Sequence, residues 1–165
     1  MQTFLPYKDF SKVATVLDNK RLNKQILECY QVLNVLSNPS PTAGWRNHPA
    51  VVMWRNHEFA LYNYVQTMIV EATNRGIKTD KNSDNISRLR HEHGLQWGLG
   101  NPKWYDVKSI MKRITTTHKA NLFKKEPESY PQFIKALNNK NNVPCCDRCQ
   151  YYWVNHIEEN RDLLV

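Results

Sequence analysis

The chain has 165 residues, with 23 Lys and Arg against 15 Asp and Glu, and therefore a formal net charge of +8. Its 41% hydrophobic content suffices for one buried core, but no apolar run approaches the roughly 20 residues of a membrane span, which argues against a membrane partner. Pro6 and the charged residues after it interrupt any signal peptide, so we expect a cytoplasmic or nucleoid-associated protein that is not secreted.

Apolar side chains recur at helical spacing in three stretches, which predicts three main helices. After a short extended start, Asp9 or Ser11 can cap a helical turn. Asp18 then caps the first main helix, which ends near Ser37 because Asn38-Pro39 follows.

The second main helix is predicted over residues 49–74, with a proline at its first position and Trp54 in its buried stripe. Residues 77–103 are polar and poorly periodic, which predicts a long connection with at most a short helix around 85–93. The third main helix is predicted over residues 105–125.

Strand signals are almost absent, so the fold class is mainly α: a single compact domain of three main helices with long loops. We expect one domain over residues 1–165, in which 1–133 form the helical core and 134–165 form a C-terminal tail docked on it. A monomer is expected.

A Trp-Arg-Asn-His string occurs twice, at residues 45–48 and 54–57. Arginine can grip a phosphate, asparagine can contact a base edge, and tryptophan and histidine offer stacking faces. Together with the net positive charge, this favours nucleic acid as the partner. A structural corner explains the first string about equally well, and Trp54 of the second string is expected in the core.

Glu28 is the only acid between Asp18 and the end of the first main helix, and its neighbours are basic and amide residues. It can be a solvated glutamate paired with Lys24. A DNA-processing enzyme would also use a carboxylate on such a basic helix face for proton transfer. The amino-acid composition does not distinguish a solvated glutamate from a catalytic one.

The C-terminal cysteines are Cys145, Cys146 and Cys149, and His156 follows them. One Cys-x-x-Cys near a terminus is a weak zinc signal, so we expect unliganded thiols and no metal, with a zinc-dependent interaction module as an alternative. Cys29 lies on the apolar stripe of the first helix, where a thiol is inert, so a cysteine hydrolase is the least favoured hypothesis.

Four segments carry a family resemblance: MQTFLPY at 1–7, VLDNKRL at 16–22, GWRNHPAV at 44–51 and HKANL at 118–122. They resemble small bacterial and viral proteins of the pyrimidine-dimer DNA glycosylase (endonuclease V) superfamily. The resemblance covers most of residues 1–133. It implies a compact helical fold, a DNA glycosylase with a possible AP-lyase step, double-stranded DNA as the substrate and no cofactor.

The characterised enzyme of that superfamily attacks the deoxyribose C1′ with its chain-terminal amine and forms a Schiff base, while a helix glutamate assists proton transfer. By resemblance, Met1 supplies the amine and Glu28 the carboxylate, and the large Gln2 should hinder removal of Met1. An α-amine ordinarily has a pKa of roughly 7.7–8.0, so a useful fraction of such groups is neutral near pH 7.

The expected DNA-contacting residues combine the basic positions, the first string and the family-like segments. They are Gln2, Arg21, Lys24, Trp45, Arg46, Asn47, His48, Arg55, Arg113, His118, Lys119 and Asn121. For His118 and Asn121, burial or support of neighbouring residues is the favoured role.

Three positions depart from the characterised enzyme: Gln2, Leu27 and Gln31 stand where it has arginines. These departures leave the substrate base open and put pyrimidine dimers in doubt. They also keep an alternative function, a non-catalytic DNA- or RNA-binding protein of the same fold.

Overall fold

The computed structural model describes residues 1–38, 44–137 and 151–154, and in these ranges the chain is mainly α-helical without a β-strand. The α-helices of the described chain are α1 (Phe10–Val16), α2 (Asn19–Ser37), α3 (Pro49–Val52), α4 (Glu58–Asn74), α5 (Asp80–His93) and α6 (Lys108–Lys125). Two 3-10 helices, Lys103–Tyr105 and Pro131–Ala136, flank α6. None of these helices is long and apolar enough to cross a membrane.

Side-chain caps fix the start of the first two helices. The carboxylate of Asp9 accepts hydrogen bonds from two backbone amides of the first turn of α1. Asp18 does the same for α2, where its Oδ1 accepts from the backbone N–H of Arg21 at 2.9 Å. The predicted cap at Asp18 and the predicted end near Ser37 are both confirmed.

The prediction of one continuous helix over 49–74 is wrong, because α3 ends at Val52 and α4 begins at Glu58. Asn56, between them, has a left-handed backbone with φ of 67°. The carboxylate of Glu58 accepts from the backbone N–H of Asn56 at 3.0 Å and of Gly98 at 2.8 Å, which holds the break in place. A Cβ at position 98 would lie 1.8 Å from the carbonyl oxygen of Asn56, so this approach requires glycine.

The prediction for residues 77–103 is also wrong, since this stretch contains the 14-residue helix α5 rather than a short helix at 85–93. Its sequence is mostly polar because two of its 14 residues, Ile86 and Leu89, are buried and the others are at least partly exposed. The helix packs against α2, and an amphipathic stripe this narrow is hard to recognise from periodicity.

The third predicted helix starts three residues later than expected, at Lys108. Residues Lys103–Tyr105 instead form a 3-10 turn that buries Trp104 against Trp54, with ring centroids 5.4 Å apart. The described fold therefore has four long helices, α2, α4, α5 and α6, where the sequence predicted three.

An extended segment, residues 3–5, runs through the helical core and is almost fully buried. No strand lies beside it in the described chain, so side chains from α4, α6 and the turn between α3 and α4 bond its polar groups. The bonds are Trp54 Nε1–H to Thr3 Oγ1 at 3.0 Å, Tyr64 O–H to the Phe4 carbonyl at 2.7 Å, and Leu5 N–H to His118 Nδ1 at 2.9 Å.

Residues 151–154 pack on α6. The backbone N–H of Tyr152 donates to Thr117 Oγ1 at 3.1 Å, and the guanidinium of Arg113 lies 3.9 Å from the centre of the Tyr152 ring. Most of the expected tail, including Cys145, Cys146 and Cys149, lies outside the described residues, so docking of the whole tail stays a prediction.

Arg75, directly after α4, joins this helix to the end of α1. Its side chain also forms an ion pair with Glu71, at 2.7 Å. The carbonyl acceptors of its guanidinium are those of Leu17 at 2.6 Å, Thr15 at 2.9 Å and Ala14 at 3.1 Å.

We expect Arg75→Met to lower the free energy of unfolding by roughly 2 kcal/mol, because the carbonyls at the end of α1 lose a charged donor. Urea titration measures this change. Arg88→Met, on the exposed face of α5, is the matched control and should change stability by less than about 0.5 kcal/mol. Equal changes in the two variants would contradict the joining role of Arg75.

Candidate active site

Gln25 lies on the buried face of α2 and holds the N-terminal segment with both ends of its amide. Its Oε1 accepts from the backbone N–H of Phe4 at 2.7 Å, and its Nε2 donates to the carbonyl of Gln2 at 2.8 Å. Because Gln25 is fully buried, water does not compete for these bonds. They direct Met1 toward the next turn of α2, which carries Glu28.

Glu28 brings a nearly buried carboxylate close to the α-amine of Met1. Burial raises the pKa of Glu28, while Coulomb attraction from Lys24, from the α-amine and from Lys125 opposes this shift. Lys24 Nζ lies 3.8 Å from Oε1, whereas Oε2 is buried and has no hydrogen-bond partner among the described residues. A carboxyl group that is costly to ionise and lies beside an amine is suited to proton transfer.

A pocket of about 330 Å³ opens beside the N-terminus. Its lining comes from the N-terminus, from the part of α2 that follows Glu28, and from Trp45. The described residues that line it are Met1, Tyr30, Gln31, Asn34, Val35 and Trp45.

The turn before α3 completes this region. The ring of Trp45 lies 5.5 Å from that of His48, centroid to centroid, and the Nδ1 of His48 accepts from the backbone N–H of Ala50 at 3.1 Å. Burial, and then the positive charge of the Met1 α-amine, lower the pKa of His48. Of the predicted site residues, Met1 and Trp45 line the pocket. Glu28 and His48 lie close enough to the Met1 α-amine for its charge to affect their pKa values.

A basic surface adjoins Glu28. Burial lowers the pKa of Lys125, and repulsion from Lys24 and Arg21 lowers it further, so these three cations lie near one another. The guanidinium of Arg21 is tied at 2.8 Å to Asp18, whereas the Lys24 side chain is 60% exposed. Of the two predicted DNA-contacting cations on α2, Lys24 is therefore the more exposed.

Other predicted contacts around the first string have internal partners. Arg46 donates to the carbonyl of Asn38 at 3.0 Å, and Arg55 donates to the carbonyl of Arg46 at 2.6 Å. Both arginines therefore shape the turn that presents Trp45, while Asn47 is exposed beside it.

Arg113 and Lys119 lie on α6, away from the pocket. Arg113 covers the Tyr152 ring, and the Nζ of Lys119 lies 4.6 Å from the centre of the Tyr7 ring. Lys119 also lines a second pocket of about 390 Å³, whose other cations are Lys8, Lys108 and Lys112.

His118 and Asn121, which were included among the expected DNA contacts, are buried, at 0% and 1% exposure, in keeping with the supporting role that the sequence favoured for them. Burial lowers the pKa of His118 to about 3, so the neutral imidazole accepts from the backbone N–H of Leu5. Asn121 donates to the carbonyl of Thr117 at 2.8 Å. Both side chains support the core beneath the N-terminal segment.

Sequence reasoning missed the positioning role of Gln25 and the pocket walls from Tyr30 and Asn34. The amide at position 25 falls on the same stripe as Leu22, Ile26 and Cys29, and a polar residue on an apolar stripe was the available signal. Among the described residues, no group of three His, Cys, Asp or Glu side chains could share a metal ion.

The helical fold and the basic surface beside Glu28 are features expected of a DNA-binding protein. The family model described as pyrimidine dimer DNA glycosylase matches residues 1–85, about half of the chain and all of the pocket's described lining. The chain belongs to this family, whose substrate is DNA. No curated protein and no solved structure matched the chain.

Glu28→Gln should gain stability relative to the wild type as the pH rises above 4.5, the ordinary pKa of glutamate. Above that pH the unfolded carboxyl loses its proton while the folded one, with its raised pKa, retains it longer. Wild-type stability therefore falls until the folded pKa is passed, with a slope of at most about 1.4 kcal/mol per pH unit.

Urea titrations from pH 4 to 8 measure this difference, with Glu128→Gln, an exposed acid, as the background variant. A constant stability difference between Glu28→Gln and the wild type across this range would mean that the carboxyl is not perturbed by folding.

Proposed function

We propose that this protein is a DNA glycosylase that removes a damaged or modified base from double-stranded DNA through a Schiff base on the α-amine of Met1. The observation that carries the proposal is the nearly buried carboxylate of Glu28, which is electrostatically coupled to that amine. Membership of the family supports the same assignment.

In the proposed reaction the neutral amine attacks the deoxyribose C1′, and the N–C1′ bond forms as the glycosidic C1′–N bond breaks. The electron pair of that bond leaves with the base, which takes up a proton, while the amine nitrogen loses one. The C1′–O4′ bond then opens, O4′ takes a proton, and a protonated Schiff base remains at C1′.

Two outcomes are open to this intermediate. Water can hydrolyse it to an abasic sugar and the free amine. Alternatively, loss of a C2′ proton expels the 3′-phosphate and nicks the strand, which is the AP-lyase step.

Glu28 is proposed to move the protons in these steps. The raised pKa favours the acid form, which can protonate the leaving base or O4′, and the carboxylate that results can take a proton from the amine or from C2′. The same carboxylate stabilises the positive charge that develops on the sugar.

The basic surface supports DNA as the partner. Lys24 and Lys125 lie near Glu28. Their positive charges could therefore contact the phosphates on either side of the target nucleotide. Access to C1′ within a duplex requires that the nucleotide be bent or flipped out of the stack.

The replacement of expected cations by Gln2, Leu27 and Gln31 favours a second candidate, a DNA-binding protein that has lost catalysis. Leu27 is 40% exposed next to Glu28, where a cation would strengthen the grip on phosphate. This candidate predicts salt-dependent DNA binding without covalent chemistry.

The test is borohydride trapping on a duplex with one abasic site. We expect a covalent adduct with the wild type, none with an N-terminally acetylated form, and a trapping rate lower by on the order of 100-fold for Glu28→Gln. Glu126→Gln is the matched control, because Glu126 is an acid on the same basic surface whose carboxylate contacts Arg21. DNA binding without an adduct would establish the non-catalytic candidate.

A further inference from the structure

We propose that the pocket beside Met1 receives the base to be removed, as a single uncharged base turned out of the duplex, stacked on Trp45 and contacted by the amides of Gln31 and Asn34. This inference rests on the proposed function and deepens it, since it names the class of substrate.

The position of the amine relates the pocket to the chemistry. Met1 lines the pocket, so a base inside it has its C1′ next to the nucleophile. The carboxylate of Glu28 is on the same helix, one turn before Gln31. The amine attacks the sugar that lies nearest to it, and the base attached to that sugar is the leaving group. A base in this pocket is therefore the base that is removed.

The chemistry of the walls favours a neutral planar ligand. None of the described side chains that line the pocket is charged, whereas the second pocket is lined by four lysines and Asp106. Gln31 and Asn34 lie three residues apart on one face of α2 and are both exposed. Each carboxamide can donate and accept, which matches the hydrogen-bonding edge of a base.

Trp45 presents an exposed indole from a turn whose backbone is fixed by hydrogen bonds. It is 64% exposed although it is one of the largest apolar side chains, and its backbone has φ of 70°, a conformation rare for such residues. The turn is fixed by a bond from the His48 N–H to the Trp45 carbonyl at 2.9 Å and by the Arg55 contact with residue 46. An exposed indole held this way has no packing role in the described core.

The pocket is large enough to receive a base that is turned out of the duplex. About 330 Å³ is at the lower end of the roughly 300–1,000 Å³ of small-molecule pockets. One exposed indole and one pair of amides match the face and the edge of a single base. The inferred substrate is accordingly a monomeric damaged or modified base rather than a pyrimidine dimer.

The test compares the binding of duplexes that are identical except at one position. That position holds mismatched uracil, hypoxanthine or 2-aminopurine, a tetrahydrofuran site that lacks a base, or, across two positions, a thymine dimer. The wild type should bind at least one single-base duplex on the order of 10-fold more tightly than the tetrahydrofuran duplex, as measured by fluorescence anisotropy.

The ratio of these two dissociation constants is the readout. Trp45→Ala and the double variant Gln31→Ala/Asn34→Ala should each reduce it toward one, and Trp45→Phe should preserve most of it. Val70→Ala, an exposed apolar residue on α4, is the control and should leave it unchanged. Circular dichroism confirms that each variant is folded.

A ratio near one for every single-base duplex in the wild type, or a preference for the dimer duplex, would overturn the inference. The inference would also be overturned if the ratio of dissociation constants were the same in the wild type, the Trp45 variants and the Gln31/Asn34 variant. Trapping on abasic DNA is run in parallel with the wild type. An adduct without any preference for a base would contradict the pocket assignment alone. A preference for a base without an adduct would contradict the glycosylase mechanism.

Discussion

The hydrogen bonds between Gln25 and the N-terminal segment are the constraint on which the candidate site depends. An extended segment inside a helical core has backbone donors and acceptors that no neighbouring helix backbone can satisfy, and leaving them unpaired is costly. Gln25 pairs with residues 2 and 4 at once, and side chains from the α3–α4 turn, α4 and α6 pair with residues 3–5. The core thereby fixes the position of the N-terminal residues.

This arrangement explains why a terminal residue can serve as a positioned group. Chain termini usually fray, but residues 3–5 are almost fully buried and hydrogen-bonded to four parts of the fold: α2, the α3–α4 turn, α4 and α6. Two residues then separate the anchored segment from the amine. The cost is visible at Glu28, whose Oε2 is buried without a partner in the described chain and whose pKa burial raises. Functional sites commonly retain such unfavourable groups.

The helices were predictable from the sequence where capping residues and apolar periodicity determine them. Asp18 marks the start of α2, and the apolar stripe from Leu22 to Leu33 marks its buried face. The break before α4 was not predictable, because it depends on Glu58 reaching the distant Gly98. The same distinction holds for the site. The carboxylate of Glu28 was recognisable from its basic context, whereas the pocket depends on how the turn before α3 places Trp45 beside Met1 and α2.

The most direct measurement is the location of the borohydride-reduced adduct on the chain, by digestion of the trapped complex and mass spectrometry of the nucleotide-bearing peptide. The account predicts that the sugar remnant is attached to the α-nitrogen of Met1. Attachment to a lysine side chain, for example that of Lys24 or Lys125, would contradict it, because the buried anchoring of the N-terminus would then have no part in the chemistry.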